Sequence, residues 1–246
     1  MTIHKTKGIV LRTVKYGETS IIADIFTELF GRQSYIVNGV RTSSKKGMGK
    51  ANLFQPVAIL DLEVYHNELK NLQRIKEFRW GYLYKNIFFD VLKNSVALFM
   101  IELLQKCLKH PEPNNELFYF AEDAFMQLDE SSDTVLANYT LFFSLHIASF
   151  FGLRIDDNYS QENSILDLQE GFFTSEKPEH NYYLDSKFSF ATSQLLKAMQ
   201  PAELSEIRLN KDSRRILLNA YQTFFALHIQ DFGTMKTLPV LQELLA

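Results

Sequence analysis

The chain has 246 residues, of which 46% are hydrophobic, and its formal net charge is −3. This is enough apolar material for the cores of two domains, while a single cysteine, Cys107, excludes an internal disulfide and a thiolate zinc cage. No apolar run reaches the roughly 18 residues of a membrane-spanning helix, and charges interrupt the N-terminus too often for a signal peptide, so we expect a soluble, cytoplasmic protein.

The first 80 residues predict a small β-barrel. Runs rich in Ile, Val, Tyr and Thr are broken by glycines, and Leu60, Leu62 and Val64 alternate with polar neighbours, which is the period of a half-buried strand. Five such runs predict a barrel of the oligonucleotide-binding (OB) type. The predicted strands cover residues 3–14, 19–27, 32–40, 57–65 and 69–78.

Helical periodicity dominates after residue 81. We expect Gly152 to end the third helix, Asn210 to begin the fifth and Gly233 to end it. The predicted helices cover residues 82–110, 116–128, 134–151, 190–199 and 211–232, with a short helix after Pro239. An irregular insertion at about 153–189 carries short strands at most, near 171–175 and 182–184. The predicted fold is α+β and multi-domain, with an OB barrel at 1–80 and a mainly helical domain at 81–246.

The charges are divided between these two regions. Residues 1–80 hold 13 Lys and Arg against 7 Asp and Glu, whereas the remainder holds 13 against 22. A basic barrel is typical of a protein that binds a phosphate backbone, and an acidic body serves solubility or a protein partner. The alternative is that the excess is an ordinary solvated surface.

Cations interleaved with aromatic residues are the candidate DNA-binding groups. Lysine and arginine neutralise phosphates, and aromatic faces stack bases without reading sequence. Tyr16 and Tyr35 are the candidates for base stacking, although both also suit packing in the barrel. The predicted phosphate-binding residues are Lys5, Lys7, Arg12, Lys15, Arg32, Arg41, Lys45, Lys46, Lys50, Arg74 and Arg79.

Motifs for catalysis are missing from the sequence. The segment 44–51 faintly resembles a nucleotide-binding P-loop, but Ser44 replaces its first glycine and Ala51 replaces its Mg²⁺-binding hydroxyl. The six histidines lie in separate elements and lack metal-binding spacing. We therefore expect no enzymatic activity, no cofactor and no bound metal.

Three segments carry a family resemblance: GIVLRTVKYGETSIIADIFTELFGRQSYIVNGVRTSSKK, LFQPVAILDLEVYHNELKNLQRIKE and SFFGLRIDD. Their order and spacing resemble the bacterial RecO family of recombination mediators. The resemblance implies recombinational DNA repair of the RecF type, with binding of single- and double-stranded DNA, strand annealing and association with the nucleoid. It also implies contact with RecR and with the tail of single-strand-binding protein, and assistance in loading RecA. The rival interpretation is an OB-fold module that binds proteins without binding DNA directly.

The sequence departs from the pattern of that family at its zinc site. Many members of that family carry four cysteines of a zinc ribbon after the segment that matches SFFGLRIDD, but the insertion here has none. We therefore expect apolar packing to replace the metal and only partial order in the insertion. The residues expected to supply this packing are Ile165, Leu166, Leu168, Phe172, Phe173, Tyr182 and Tyr183.

The acidic tail of single-strand-binding protein, which ends in an apolar residue, requires a hydrophobic notch beside a cation. The alternative is the ordinary charged face of a helix. The candidate residues are Arg208, Arg214, Arg215, Leu217, Leu218 and Phe224, with Arg154 as a second choice for the cation.

Overall fold

A computed structural model describes residues 2–41 and 49–244. The chain forms two compact units, which are the barrel unit (Met1–Lys85 and Leu108–Met126) and the helical unit (Asn86–Cys107 and Gln127–Ala246). The barrel unit thus contains a segment that the division after residue 80 assigned to the helical domain. Its net charge is +4 and that of the helical unit is −7, so the division of charge follows the packing.

Five strands of the barrel unit close into a barrel in the order β1-β2-β3-β5-β4, which confirms the predicted OB-type architecture. All neighbouring strands are antiparallel except β3 and β5, which are parallel. A short 3₁₀ helix, Lys50–Phe54, precedes β4. The strands are β1 (Ile3–Tyr16), β2 (Ser20–Thr27), β3 (Gly31–Val37), β4 (Ile59–Tyr65) and β5 (Leu72–Trp80).

Two β-bulges and a glycine allow these strands to curve. The register shifts between Val10 and Arg12 in β1 and between Glu63 and Val64 in β4. Gly8 lies where a Cβ atom would come within 2.6 Å of the Ile25 side chain, so the barrel interior excludes any larger residue there. The curvature of the barrel therefore arises at the two bulges and at Gly8, within otherwise regular strands.

Helix α2 (Asn115–Glu130) packs on the outside of the barrel through residues up to Met126. The rings of Phe26 and Phe118 lie 5.5 Å apart, and Lys7 Nζ donates a hydrogen bond of 2.8 Å to Glu122 Oε1. The segment before α2 passes so close to Gly31, whose φ is +62°, that a Cβ atom there would lie 2.2 Å from the Glu112 carbonyl oxygen. One side of the barrel is thereby covered.

The described part of the chain forms six α-helices, one of which is α2. Helix α3 (Asp133–Ala148) is buried on nearly every side, and the stretch Asp133–Phe151 that contains it has the length and composition of a membrane span. The expectation that no stretch reaches that length was therefore wrong. Because most of this stretch is buried inside the structure, it has the properties of a core helix. The remaining helices are α1 (Val91–Cys107), α3 (Asp133–Ala148), α4 (Ser186–Lys197), α5 (Lys211–His228) and α6 (Thr237–Leu244).

Helix boundaries follow the predicted caps with one exception. Gly152, with φ of 72°, ends the 3₁₀ extension of α3, and the Asn210 side chain accepts a hydrogen bond of 2.8 Å from Ser213 N at the start of α5. Helix α5 ends at His228 and does not continue to residue 232, because Ile229 is extended. The chain then turns, so that the Phe232 ring stacks on Phe225 at 5.5 Å.

The insertion is more regular than predicted. Strands β6 (Ile165–Asp167), β7 (Phe172–Thr174) and β8 (Tyr183–Leu184) form a three-stranded sheet in the order β7-β6-β8. Leu166, Leu168 and Phe173 are buried as expected. Phe172 and Tyr182 are 42% and 44% exposed, so their predicted role in packing was wrong. Strand alternation explains Phe172, because its neighbour Phe173 takes the inward direction.

Candidate nucleic-acid interface

The outer face of β1, β2 and β3 combines apolar, aromatic and cationic side chains. Side chains of Cα partners in neighbouring strands point to the same face, and successive residues of a strand alternate between faces. One row across the strands contains Val14, Ile22 and Ile36, and the next begins with Arg12. Val14 is 39% exposed and Tyr16 is 50% exposed. In OB barrels this face and the loops between strands 1 and 2 and strands 4 and 5 bind oligonucleotides.

Four predicted cations surround the β1–β2 turn and the 3₁₀ helix beside it. Arg12, Lys15 and Lys50 are exposed, and none of them has an ion-pair partner among residues 2–41 and 49–244. The Arg41 guanidinium donates a hydrogen bond of 3.1 Å to the Gly17 carbonyl, which places it at the turn. Thr13 Oγ1 fixes the 3₁₀ helix to β1 through a bond of 2.6 Å to Phe54 O. We call these four side chains and Tyr16 the turn patch.

Arg74 lies next to the other loop of this face. It is exposed on β5, opposite Ile36 of β3 on one side and Tyr65 of β4 on the other. In the described part of the chain it has no carboxylate partner. Together with the turn patch, it supplies positive charge at both loops that border an OB ligand face.

Sequence reasoning missed Tyr65. Its neighbour Val64 is fully buried, and Tyr65 lies on the outer face, partly exposed beside Arg74. The signal was present, since the alternation that places Leu60, Leu62 and Val64 inside also places Tyr65 outside. An aromatic residue next to an arginine suits base stacking and phosphate contact together.

Tyr35 is not a base-stacking residue. It is fully buried inside the barrel, and its Cα partners Ala23 and Gln73 also point inward. Burial raises the pKa of the Tyr35 phenol well above its ordinary value, because the charged phenolate would lose its water. Lys45 and Lys46 lie outside the described residues, so their predicted role stays a prediction.

The face formed by β1, β4 and β5 has its cations neutralised. Lys5 Nζ lies 3.8 Å from Glu63, and Arg79 pairs with Asp61 at 3.0 Å. The hydrogen bond to Glu122 raises the pKa of the Lys7 ammonium, although partial burial opposes the shift. Because each cation faces a carboxylate, this face lacks the excess positive charge that the prediction for Lys5, Lys7 and Arg79 required.

Arg32 is also committed to the fold. Its guanidinium donates to both carboxylate oxygens of Asp24, with the shortest bond at 2.6 Å, and a further bond of 2.9 Å reaches Leu108 O. A paired arginine that also holds a backbone carbonyl is a weak candidate for phosphate contact. Its predicted DNA-binding role is therefore not supported by the geometry.

In the helical unit, helices α5 and α6 bring together part of the predicted notch for the acidic tail. Arg214, Arg215 and Leu218 line one small cavity of about 20 Å³ with Lys211 and Leu241. Arg214 Nε is buried without a hydrogen-bond partner among the described residues, and desolvation lowers the pKa of its guanidinium. A half-buried cation without a carboxylate is expected to favour an anionic ligand. Lys211 was missed by sequence reasoning, although it precedes the arginines by one helical turn.

The other predicted tail residues lie elsewhere. Leu217 and Phe224 are buried, and neither lines the cavity beside Arg214. The Arg154 carbonyl oxygen and the Phe224 ring both lie beside Gly171, where a Cβ atom would be 3.2 and 3.9 Å from them. Arg154 itself pairs with Asp156 at 3.3 Å, and Arg208 is exposed outside the cavity. Of the predicted set, only Arg214, Arg215 and Leu218 therefore line this cavity.

Comparison with known proteins assigns the chain to a family. Residues 1–83 match the family model Recombination protein O N terminal, and residues 89–237 match Recombination protein O C terminal. The DNA repair protein RecO of Phocaeicola vulgatus is 32% identical over 242 residues, which cover 98% of this chain and 99% of that protein. The chain belongs to the RecO family.

Other relatives agree with this assignment. The DNA repair protein RecO of Bacteroides fragilis is 32% identical over 245 residues, covering 98% of this chain and 99% of the relative. The DNA repair protein RecO of Flavobacterium johnsoniae is 29% identical over 242 residues, covering 98% of each. Within the described residues of this RecO-family chain, no three His, Cys, Asp or Glu side chains form a group suited to a metal. The expected absence of zinc stays a prediction.

Proposed function

We propose that this RecO-family chain is a DNA-binding recombination mediator of recombinational repair, acting in the cytoplasm at the nucleoid without catalysing a reaction. It binds single- and double-stranded DNA through the turn patch, Arg74 and the β1–β2–β3 face between them. The supporting observation is the asymmetry of the barrel. Cations at the two loops lack carboxylate partners among the described residues, whereas those on the β1–β4–β5 face are paired.

Annealing follows from the electrostatics. Two complementary strands repel each other, and cations that neutralise their phosphates lower this barrier. Tyr16 and Tyr65 hold bases by stacking, which leaves their hydrogen-bonding edges able to find a partner strand. No nucleotide hydrolysis is needed, because duplex formation itself is favourable.

The equilibrium test compares two matched double variants across a salt series. Arg12→Ala/Arg74→Ala removes two cations without carboxylate partners, and Lys5→Ala/Arg79→Ala removes two that face carboxylates. The slope of log affinity against log salt for a labelled single strand should fall by about 0.7 for each phosphate contact that is lost. We expect this fall only in the first variant.

The loop between Arg41 and Lys50 has a test of its own. The triple change of Lys45, Lys46 and Lys50 to Ala should flatten the same slope, because three nearby cations would be lost. If affinity and slope both stayed at the wild-type values, the loop would have no role in binding. DNA binding through Arg12 and Arg74 would be unaffected by that result.

The partners are also proposals. We infer that the chain binds RecR and the acidic tail of single-strand-binding protein, and that it thereby helps to load RecA on coated strands. The cavity beside Arg214 supports a tail site, since a cation without a carboxylate partner adjoins Leu218 and Leu241. Because its volume is small, the side chains that line it must move to admit a large side chain of the peptide.

A peptide with the acidic, apolar-ended tail chemistry tests this site by calorimetry. Arg214→Ala should weaken binding about tenfold or more, because a charge-assisted contact contributes roughly 1.5–3 kcal/mol. Arg154→Ala, at the second position considered for the tail, should leave the affinity unchanged. The reverse result would move the tail site to Arg154.

The rival function is a protein-interaction module. It draws support from the exposed apolar side chains Val14 and Leu72, which also suit a protein partner. Such a module would show no salt-dependent affinity for oligonucleotides. The salt series therefore separates the two functions directly.

A further inference from the structure

A groove borders the β1–β2–β3 face inside the barrel unit. It lies between the outer side of β3, the turn that joins β4 to β5, and the segment that leads into α2, and its volume is about 690 Å³. Ser34 of β3 is part of its lining. Ser34 pairs with Asp24 on β2, and Asp24 pairs with Arg12 on β1. The groove is therefore continuous with the DNA-binding face proposed above.

The charge of this groove is balanced. Asp24 and Arg32 neutralise each other on its floor through hydrogen bonds as short as 2.6 Å. At the rim, Lys70 and Lys109 are matched by Glu68 and Glu112. A channel for phosphates requires excess positive charge, so this groove is suited to an uncharged part of a ligand.

Neutral hydrogen-bonding groups line the same groove. The side chains of Ser34 and Asn71 have no hydrogen-bond partner in the described part of the chain. Gln33 donates its amide nitrogen to Phe30 O at 2.9 Å, which leaves its side-chain oxygen as an acceptor. A hydroxyl, an amide and a carbonyl oxygen together match the donors and acceptors on the edge of a nucleobase.

A stacked pair of rings forms another part of the lining. The His66 ring lies parallel to Phe30, with a centroid distance of 4.0 Å and an interplanar angle of 14°. Both residues are partly exposed and line the groove. Flat rings at such a site stack on the faces of bases, which are available only where a strand is unpaired or unstacked.

We propose that this groove binds unpaired nucleobases of the single strand whose phosphates contact the turn patch and Arg74. Ser34, Asn71 and Gln33 bond the base edges, and the Phe30–His66 pair stacks on their faces. The inference rests on the proposed DNA-binding function and adds to it a preference for single strands. In a duplex, neighbouring base pairs cover the faces that this groove requires.

The test uses Ser34→Ala and Asn71→Ala, with Asn115→Ala as a control at an exposed amide outside the groove lining. Three labelled probes are titrated: a single strand, a strand of equal length with abasic sites, and a duplex. We expect each groove variant to bind the base-bearing strand about threefold to tenfold more weakly, since neutral hydrogen bonds are lost. The salt slope and the affinities for the other two probes should stay unchanged.

Each outcome decides a different point. If the variants bind the single strand as wild type does, the groove does not bind bases and is free for an extended peptide, while salt-dependent DNA binding would still support the proposed function. A reduced salt slope in these variants would mean that the groove holds phosphates and would overturn the inference. If wild-type protein binds no probe, the proposed function fails together with it. Unchanged melting temperatures show that the variants are folded.

Discussion

At the scale of single residues, exposure decides which aromatic and charged side chains are available to any ligand. Tyr16, Tyr35 and Tyr65 all lie on strands of one barrel, yet Tyr35 is fully buried and Tyr16 is half exposed. The same holds for the cations, since Arg12 projects into solvent and Arg32 is held by Asp24. Residue type alone does not distinguish these cases.

The tyrosines give a direct prediction. Tyr16→Ala and Tyr65→Ala should each weaken binding of a labelled single strand, because stacking of a base on an aromatic ring contributes about 1–3 kcal/mol. Tyr65→Phe should retain the affinity, since the ring is preserved. Anisotropy titrations measure these effects. Equal weakening by Tyr35→Phe would contradict the assignment, because that ring is inside the barrel.

His66 gives a prediction for pH. Burial beside Phe30 is the main cause that lowers the His66 pKa from its ordinary value of 6.5; nearby His4 lowers it further, and Glu68 opposes the shift. His66 therefore binds a proton more readily in the unfolded chain than in the folded one. Its contribution to the free energy of unfolding is fully present above pH 6.5 and is lost as the pH falls through the lower pKa of the folded state.

Chemical denaturation between neutral and mildly acidic pH checks this expectation. His66→Phe preserves the stack on Phe30 and should reduce the pH dependence, whereas His110→Phe, at an exposed position, should not. Half-buried His146, whose pKa is also lowered by desolvation, should retain a residual dependence in both variants. Identical pH profiles for wild type and His66→Phe would show that His66 does not contribute.

At the scale of elements, one close approach fixes the segment before α2 against the barrel. Gly31 and Gly39 both have positive φ, at +62° and +69°. A Cβ atom at Gly31 would lie 2.2 Å from Glu112 O, whereas at Gly39 it would meet nothing within 4 Å. The two positions therefore share the cost of a left-handed backbone and differ in steric contact.

This pair makes a matched test of the docking. Gly39→Ala should lower the free energy of unfolding by about 1–2 kcal/mol from the backbone conformation alone. Gly31→Ala should cost at least about twice as much, because the segment must also move away from β3. Urea denaturation measures both values. Equal losses would show that the contact with Glu112 relaxes without cost.

Apolar packing and side-chain hydrogen bonds hold the β6–β8 sheet together. Leu166 and Phe173 are buried, and the Asn158 side chain bonds both the backbone N and O of Phe173, at 2.7 and 2.8 Å. Purified protein should therefore contain well below one zinc ion per chain, and EDTA should leave its melting temperature unchanged. Elemental analysis and a thermal melt test this expectation. A stoichiometric zinc ion would contradict it.

At the scale of the whole molecule, function depends on where charge remains after folding. The chain is slightly acidic overall, but its barrel unit carries +4 and its helical unit −7. Within the barrel unit, ion pairs neutralise one face and leave cations at the two loops of the other. Net charge and even regional charge therefore do not show which face of the barrel keeps cations without carboxylate partners.

A strand-annealing assay tests this distribution of charge over the two faces of the barrel. Wild-type protein should accelerate the pairing of complementary strands without any nucleotide, and the acceleration should fall with added salt. Arg12→Ala/Arg74→Ala should anneal more slowly, whereas Lys5→Ala/Arg79→Ala should match wild type. Stopped-flow fluorescence of labelled strands gives the rates. A requirement for ATP, or equal slowing by both variants, would contradict the mechanism.

The sequence by itself determined the five-stranded barrel, most helix boundaries and the inward row of Leu60, Leu62 and Val64, because these depend on local periodicity and capping. It also placed a basic region at the N-terminus. Only the tertiary structure decided that Tyr35 is core, that Lys7 is neutralised by Glu122 on α2, and that Arg214 has no carboxylate partner within residues 2–41 and 49–244. Ion pairs and burial join residues distant in the chain, as the 115 positions between Lys7 and Glu122 show, and local patterns do not record them.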